Sequence, residues 1–135
     1  MLEMVMNRAN SKGVIRTLLG RKCRFDLWEP TSWGVHKALP LNQAQTEYGM
    51  AIKRAYTYKA LNRLIQGSAA DQTKKAMVDV YEQLGIIPLI QVHDELDCSV
   101  KNEKEAKKVK EVMEDCVQLE VPSKVDIEFN ETWGG

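Results

Sequence analysis

The feature that most constrains the fold is the charged triplet His-Asp-Glu at residues 93–95, which interrupts the apolar run LIQVHDELDCSV of residues 89–100. Charged side chains in the middle of a β-strand cost stability unless they lie at a turn or bind a cation. The apolar residues on both sides therefore predict a β-hairpin in which the triplet forms a three-residue loop.

The predicted loop also fixes which residues of the hairpin lie opposite each other. In this register the carboxylates of Asp94 and Glu95 project together from the tip of the hairpin. One face of the hairpin then carries the pairs Val92–Leu96 and Ile90–Cys98, and the other face carries Gln91 with Asp97.

Two carboxylates on a rigid tip are suitable ligands for Mg²⁺, which prefers oxygen atoms and polarises phosphate groups. Asp94 and Glu95 provide two such ligands, and a two-metal site needs at least one more from elsewhere in the fold. The alternative interpretation is a solvated turn, because acidic residues are common at loop tips.

Composition bounds the class of protein without indicating a partner. The chain has 135 residues, of which 44% are hydrophobic and 28% charged, as expected for a globular domain or for part of a larger one. Nineteen basic residues balance nineteen acidic ones, so only local clusters of charge can indicate a ligand.

The cysteines and the apolar runs indicate the compartment. Cys23, Cys98 and Cys116 are odd in number and lack CxxC spacing, which argues against a disulfide framework or a zinc site. No apolar run approaches the roughly 18 residues that span a bilayer, and the first residues lack the apolar core of a signal peptide. We therefore expect a cytoplasmic protein.

The remaining pattern predicts an α+β fold, in which helices pack against a small antiparallel sheet that includes the hairpin. The helical region of the central part is broken once, near Gly49 or Tyr56, and ends at Gly85. The elements predicted before the hairpin are helical turns over 1–10, a second hairpin over 14–25, an ordered loop over 26–42 and the helical region over 41–84.

Two elements are predicted after the hairpin. Asn102, followed three residues later by Glu105, begins a helix with a pattern close to a capping box. A closing strand follows, in which apolar and polar residues alternate over 125–130. Among the other side chains, Asp71 and Asp79 are interpreted as charges on a helix surface, and Trp28, Trp33, Tyr56, Tyr58 and Tyr81 as packing anchors.

Asn62 and Gln66 are four residues apart, so both amides project from one face of the predicted helix. Gly67 follows them at a cost of about 1 kcal/mol relative to alanine, and small residues continue the surface. Such a face can admit duplex DNA, because amide donors can bind minor-groove acceptors that are present in every base pair. Close packing of the helix on a neighbouring sheet is the equally weighted alternative.

Basic residues form two local groups that can neutralise backbone phosphates. For each of them, an ordinary solvated position is the alternative. The first group is Arg16, Arg21, Lys22 and Arg24, and the second is Lys53, Arg54, Lys59 and Arg63.

Together these segments resemble the C-terminal palm of family A DNA polymerases, the bacterial polymerase I and phage replicase type. The resemblance extends over most of the chain apart from residues 26–57. It rests on GVIRTLLGRKCRF at 13–25, NRLIQGSAAD at 62–71, QVHDEL at 91–96, which is similar to that family's motif C, and VPSKVDIEFNETW at 121–133.

The resemblance implies a role for each matching residue. Asp94 would be the motif C ligand of the catalytic Mg²⁺ ions, Glu95 would support the same site, and His93 would touch the primer end. Asn62 and Gln66 would contact the minor groove. Arg21 and Lys22 would lie near the DNA backbone. The implied reaction is attack of a primer 3′-hydroxyl on the α-phosphate of a dNTP.

The family's motif A and its fingers helix are not found in these residues. We therefore expect an incomplete polymerase that is inactive alone, with residues 1–42 and 43–135 as the post-fingers and palm parts. Motif A and the fingers would come from a second polypeptide or from a missing N-terminal region. The competing hypotheses are a non-catalytic nucleic-acid-binding module, a small metal-dependent nuclease and a purely structural role.

Overall fold

The computed structural model describes residues 1–134, which have the predicted α+β class and form two compact units, Met1–Ser68 and a second that begins at Ala69. No helix in these residues is long and apolar enough to cross a membrane. The helices are α1 (Leu2–Lys12), α2 (Leu41–Tyr48), α3 (Ala60–Leu84) and α4 (Glu103–Asp115), with a short 3-10 helix at Thr57–Lys59. The strands are β1 (Val14–Arg16), β2 (Lys22–Arg24), β3 (Leu27–Pro30), β4 (Leu39–Pro40), β5 (Ile52–Arg54), β6 (Pro88–Val92) and β7 (Glu95–Cys98).

The first unit contains the hairpin predicted at residues 14–25, in which β1 and β2 pair with Ile15 opposite Cys23. α1 has 11 residues, more than the one or two turns predicted, and ends at Gly13. The φ of Gly13 is 66°, a left-handed conformation that commonly ends helices. The buried cluster of this unit consists of Ala9, Ile15, Phe25 and Ala60.

The region predicted as an ordered loop, residues 26–42, instead contains β3 and β4. These strands join β5 in a three-stranded sheet of order β4-β3-β5. The predicted break in the helical region is correctly located, since Gly49 and Tyr56 both lie between α2 and α3, but the intervening β5 was missed. These strands are 2 to 4 residues long, too short for alternation of apolar residues to be recognised.

Arg54 was one of the basic residues predicted to neutralise backbone phosphates, but its guanidinium contacts other residues of the protein. Its guanidinium carbon lies 4.6 Å from the centroid of the Trp28 ring. The guanidinium donates hydrogen bonds to the carbonyl oxygens of Phe25 and Asn10 at 2.8 and 3.1 Å. Arg54 therefore holds β5 against the end of α1 and the residues before β3.

The second unit has a separate core and confirms the predicted start of α4. The Asn102 side chain accepts a hydrogen bond from the backbone N–H of Glu105 at 2.9 Å. The Glu105 carboxylate in turn accepts one from the backbone N–H of Lys101 at 2.7 Å. The buried cluster of this unit consists of Val80, Ile86 and Val109.

Two acidic residues of α3 are buried, although the sequence suggested surface charges. Asp71 and Asp79 are only 7% and 6% exposed. The Lys75 ammonium lies 2.7 Å from a carboxylate oxygen of Asp79, one helical turn away. The hydrogen bond from Lys75 to this carboxylate raises the pKa of the lysine. The long stem of Lys75 thus brings a counter-charge to Asp79 on the buried face of the helix.

The closing strand predicted over residues 125–130 is not formed, and the structure assigns neither helix nor strand to residues 116–134. Val125 is nevertheless attached to α4, because its N–H donates to the Glu114 carboxylate at 2.8 Å. A strand needs a neighbour for its backbone hydrogen bonds, and within residues 1–134 β6 and β7 pair only with each other. Ile127 and Phe129 consequently remain 36% and 55% exposed.

α3 touches the β1–β2 hairpin where the helix carries Gly67 and Ser68. The Arg21 guanidinium donates to the carbonyl oxygen of Gly67 at 2.9 Å, and the backbone N–H of Leu18 donates to the Ser68 hydroxyl at 3.0 Å. A Cβ atom on Gly67 would lie 2.9 Å from Cγ2 of Thr17, closer than such atoms approach. Gly67 and Ser68 therefore serve close packing of the helix on the hairpin.

Replacing Gly67→Ala should destabilise the protein, although alanine favours helices. Alanine gains about 1 kcal/mol of helix propensity, but its Cβ would overlap the buried Thr17 methyl group, and overpacking costs roughly 1–3 kcal/mol. We expect a net loss of about 1 kcal/mol in the free energy of unfolding. Urea denaturation followed by circular dichroism measures this loss.

A Thr17→Ser background provides the matched control. Serine lacks Cγ2 but keeps the hydroxyl, which in Thr17 donates to the carbonyl oxygen of Arg21 at 3.3 Å. In this background Gly67→Ala should be neutral or stabilising. An equal loss of stability in both backgrounds would show that the Thr17 methyl group does not impose the requirement for glycine.

Candidate functional site

The hairpin that carries the His-Asp-Glu triplet is present, but its turn is shorter than predicted. β6 and β7 are joined by two residues, His93 and Asp94, and Glu95 is the first residue of β7. His93 has a φ of 52°, and a positive φ at the first turn residue is typical of tight hairpin turns. The His93 carbonyl oxygen accepts a hydrogen bond from the side-chain amide of Gln91. All three residues of the triplet are exposed.

The two-residue turn changes the register, so neither predicted pair, Val92–Leu96 or Ile90–Cys98, is formed. Residues two apart in a strand share a face, and Glu95 and Asp97 therefore lie side by side on one face of the hairpin. The prediction failed because it assigned all three charged residues to the loop, whereas an exposed glutamate is tolerated at the start of a strand. The observed pairs are Val92–Glu95, Gln91–Leu96, Ile90–Asp97 and Pro88–Cys98.

Glu95 and Asp97 form a carboxyl pair that was not predicted from the sequence. Repulsion by Asp97 is the largest cause that raises the pKa of Glu95 above its ordinary value, followed by desolvation and a hydrogen bond between the two carboxyl groups. Glu128 and Asp94 add weaker repulsion. The Glu-x-Asp spacing is the sequence signal for this pair, and it becomes informative only once the register is known.

The carboxylates have the ligand chemistry that Mg²⁺ prefers. One oxygen of Asp97, Oδ2, is buried and has no hydrogen-bond partner among the described residues. No group of three or more His, Cys, Asp or Glu side chains in residues 1–134 is arranged to hold a metal ion. A cation bound at the hairpin would therefore need further ligands besides these carboxylates.

Asn62 and Gln66 lie one turn apart in the first part of α3, and both side chains are exposed. Across the described part of the chain, neither side-chain amide hydrogen-bonds to another residue. The next turn of the helix, at Gly67 and Ser68, is fixed to the β1–β2 hairpin by the contacts with Arg21 and Leu18. The two amides are thus held on a fixed helix with their donors available to a ligand.

The two residues predicted to lie near the DNA backbone, Arg21 and Lys22, have different surroundings in the structure. Arg21 is exposed, but its guanidinium donates to the Gly67 carbonyl oxygen and so supports the helix that carries Asn62 and Gln66. Lys22 is exposed on β2. The charge of Lys22 is therefore the more accessible of the two for a phosphate group.

Known proteins that resemble this chain are DNA polymerases. The family model for DNA polymerase family A matches residues 1–135. A DNA-directed DNA polymerase of Pseudomonas phage M6 is 42% identical over 127 residues, which cover 94% of this chain and 16% of that protein. DNA polymerase I of Bacillus subtilis (strain 168) is 45% identical over 140 residues, which cover 98% of this chain and 14% of that protein.

The fold also matches a solved structure, the POL domain of Pol1 from M. smegmatis in complex with DNA primer-template and dNTP. The TM-score is 0.71 at 30% sequence identity, and the match covers 98% of this chain and 22% of that chain. This chain thus spans 14% to 16% of the length of the two curated relatives. Because the family model matches it along its whole length, the chain belongs to DNA polymerase family A.

Proposed function

We propose that this chain is the C-terminal palm portion of a family A DNA polymerase and contributes to template-directed nucleotidyl transfer in DNA replication. The observation that carries the proposal is the hairpin turn. It presents Asp94 next to the Glu95–Asp97 carboxyl pair, in a chain that the family model matches throughout. In this assignment residues 1–42 follow the fingers, and residues 43–135 provide the palm helix and the motif C hairpin.

Asp94 and Glu95 would hold Mg²⁺, with Asp97 as an additional carboxylate beside Glu95. Bound there, Mg²⁺ would neutralise charge on the phosphates and lower the pKa of the primer 3′-hydroxyl. The buried Oδ2 of Asp97 supports this assignment, because a buried carboxylate oxygen without a donor is costly unless a cation or a donor reaches it.

The other residues would bind and position the DNA. His93, in the same turn as Asp94, would contact the primer end. Asn62 and Gln66 would donate hydrogen bonds to purine N3 and pyrimidine O2 in the minor groove, which tests base-pair geometry without reading sequence. Lys22 would lie near a backbone phosphate. The substrates are then a primer-template and a dNTP, the two ligands in the M. smegmatis complex.

The reaction also needs a motif A carboxylate and a fingers helix. We infer that a second polypeptide, or an N-terminal region of a longer chain, provides both. Exposed apolar side chains support the presence of such a partner at the hairpin, since Leu89, Ile90 and Val92 are 66%, 39% and 39% exposed. A two-stranded hairpin is marginally stable by itself, and contiguous apolar surface commonly marks an interaction site.

The isolated chain should not extend a primer in the presence of dNTPs and Mg²⁺. Addition of a polypeptide that carries motif A and the fingers should produce extension, measured on a labelled primer by gel electrophoresis. Asp94→Asn should then reduce the rate by about a hundredfold or more, because it removes a charged group that stabilises the transition state through the metal. Asp126→Asn, which changes an exposed carboxylate outside the hairpin, is the matched control.

Other outcomes of the primer-extension experiment would indicate one of the competing functions. Templated synthesis by the isolated chain would contradict the need for a partner. If Asp94→Asn left the reconstituted rate unchanged while DNA was still bound, the chain would be a non-catalytic nucleic-acid-binding module. Mg²⁺-dependent cleavage of DNA by the isolated chain would indicate a nuclease.

The raised pKa of Glu95 gives the metal assignment an independent test. Asp97→Asn should lower the pKa of Glu95 towards its ordinary value, because it removes the largest repulsion. Glu128→Gln should lower it less, since its repulsion is weaker. Saturation with Mg²⁺ should also lower the pKa, because a cation favours the ionised carboxylate. Carboxyl ¹³C NMR titration measures all three changes.

The same titration can also contradict the metal assignment. If saturating Mg²⁺ left the pKa of Glu95 unchanged in the complex of the wild-type chain with the polypeptide that carries motif A, the proposed ligand role of Glu95 would be wrong. The raised pKa also has a consequence for folding. The folded chain holds this proton more tightly than the unfolded chain, so stability should decrease as pH rises through the pKa of Glu95.

Asn62→Ala combined with Gln66→Ala should weaken binding of a primer-template duplex roughly tenfold, because two hydrogen bonds are lost. Fluorescence anisotropy with a labelled duplex measures the affinity. Gln43→Ala removes another exposed amide, on α2, and should have no effect. Equal losses for the double variant and for Gln43→Ala would show that the α3 amides do not contact the DNA.

A further inference from the structure

The segment that leads from β5 into α3 is basic. Residues 48–70 contain no Asp or Glu. Of its cations, Arg54 is engaged with Trp28, and the guanidinium carbon of Arg63 lies 5.0 Å from the centroid of the Phe25 ring. Lys59 is exposed, as are Lys53 and Arg63. The four cations of the segment are Lys53, Arg54, Lys59 and Arg63.

Two exposed tyrosines surround Lys59. The Lys59 ammonium lies 5.4 Å from the centroid of the Tyr56 ring and 5.6 Å from that of the Tyr58 ring. Tyr56 and Tyr58 are 37% and 63% exposed. The expectation that these rings are packing anchors is therefore wrong for Tyr58, whose ring area lies mostly in solvent beside a positive charge.

The two tyrosines project from a backbone segment that is held in place by buried neighbouring residues and a hydrogen bond to β3. Thr57, between them, is only 8% exposed, and Ala55 and Ala60 at the two ends of the turn are 1% and 0% exposed. The N–H of Ala55 donates to the Leu27 carbonyl oxygen at 2.8 Å, which attaches the turn to β3. Buried residues thus lie between the two tyrosines and at both ends of the turn, so the rings are held at defined positions.

Tyr56 has a left-handed backbone conformation with a φ of 61°. A bulky residue rarely adopts this conformation, and it persists only where the surrounding structure imposes it. Here the N–H of Lys59 donates to the carbonyl oxygen of Tyr56 at 3.0 Å. This bond closes the turn and keeps Lys59 next to both rings.

We propose that Tyr56, Tyr58 and Lys59 form a stacking platform for unpaired bases of a DNA strand. An unpaired base would stack on the Tyr58 ring, and the phosphate of the same strand would lie against the Lys59 ammonium. The proposal rests on the proposed function for the identity of the strand, which is the template. The platform lies immediately before α3, six or fewer residues from Asn62, where the paired part of the DNA is assigned.

The chemistry of the surface favours a nucleic acid over a protein partner. A phenol ring offers a flat face to any base, and stacking on aromatic rings with nearby cations is the usual way in which proteins bind single strands. The absence of carboxylates from residues 48–70 leaves the phosphates of a strand unopposed by negative charge from this segment.

The test uses the whole chain and a fluorescein-labelled oligo-dT of roughly 12 nucleotides, a length that a single-strand site commonly covers. Tyr58→Leu should lower the affinity roughly tenfold, whereas Tyr58→Phe should retain it, because stacking needs the ring and not the hydroxyl. Tyr81→Leu is the matched control, since Tyr81 is a tyrosine of α3 with a similar exposure of 57%. Circular dichroism of each variant verifies that it is folded.

A second oligonucleotide, without bases, distinguishes the contribution of base stacking to the affinity from that of charge. On an abasic oligonucleotide of the same length, Tyr58→Leu should have no effect, because no base is present to stack. Lys59→Gln should weaken binding of both strands and reduce the slope of log affinity against log salt by about 0.7. The Lys59 variant also tests the platform if Tyr58→Leu fails to fold.

Three results would overturn the proposal. They are failure of the wild-type chain to bind oligo-dT, equal losses for Tyr58→Leu on the abasic and the dT strands, and an equal loss for Tyr81→Leu. None of these measurements involves nucleotide incorporation. A failed platform would therefore leave the primer-extension experiment as a separate test of the proposed catalytic function.

Discussion

The contact between α3 and the β1–β2 hairpin determines how the first unit can present a ligand-binding surface. It depends on Gly67, where the absence of a side chain lets the helix approach Thr17 closely enough for Arg21 to bind the helix backbone. Because this contact occupies one face of α3, the amides of Asn62 and Gln66 are left on an exposed part of the helix. From the sequence alone, close packing and access for DNA are competing explanations of the small residues. The structure shows that packing explains Gly67 and Ser68, and the same packing keeps the neighbouring amides in a fixed position.

In the second unit, one residue fewer in the turn alters the electrostatics of the candidate metal site. With a three-residue loop, Asp97 would share a face with Gln91, and Glu95 would lie at the tip. With the observed two-residue turn, Glu95 enters the strand and has Asp97 as its neighbour on the same face. The repulsion that raises the pKa of Glu95 follows from this register. A pair of carboxylates that repel each other is stabilised by a cation between or beside them, so the register gives the proposed metal site a physical basis that the triplet alone did not.

Segments with long periodicity or with clear cap and turn residues could be predicted from the sequence. Very short strands, and a strand that needs a neighbouring strand to pair with, could not. α3, the Asn102 cap of α4 and both hairpins were located because their signals are local. β3, β4 and β5 were missed because such short strands show no periodicity. The strand predicted over 125–130 has the right alternation, but a strand also requires an edge with which to pair. Asp79 was misassigned because its burial depends on Lys75 reaching it from the preceding turn. At the candidate site, the residues of the triplet could be found in the sequence, whereas Asp97 required the register.

The residues assigned to DNA binding and those assigned to the metal belong to different units and depend on different physical interactions. The residues proposed to bind DNA, Tyr58, Lys59 and Asn62, all lie within Met1–Ser68, and none of their proposed contacts requires a metal ion. The carboxylates of the hairpin contribute negative charge, which disfavours DNA until a cation neutralises it. Addition of Mg²⁺ should therefore have opposite effects in the two units: it screens the attraction of phosphates to Lys59 and Lys22 but removes the repulsion from Asp94 and Glu95. In the proposed assignment the first unit binds DNA without a metal ion, so DNA binding does not depend on completion of the metal site.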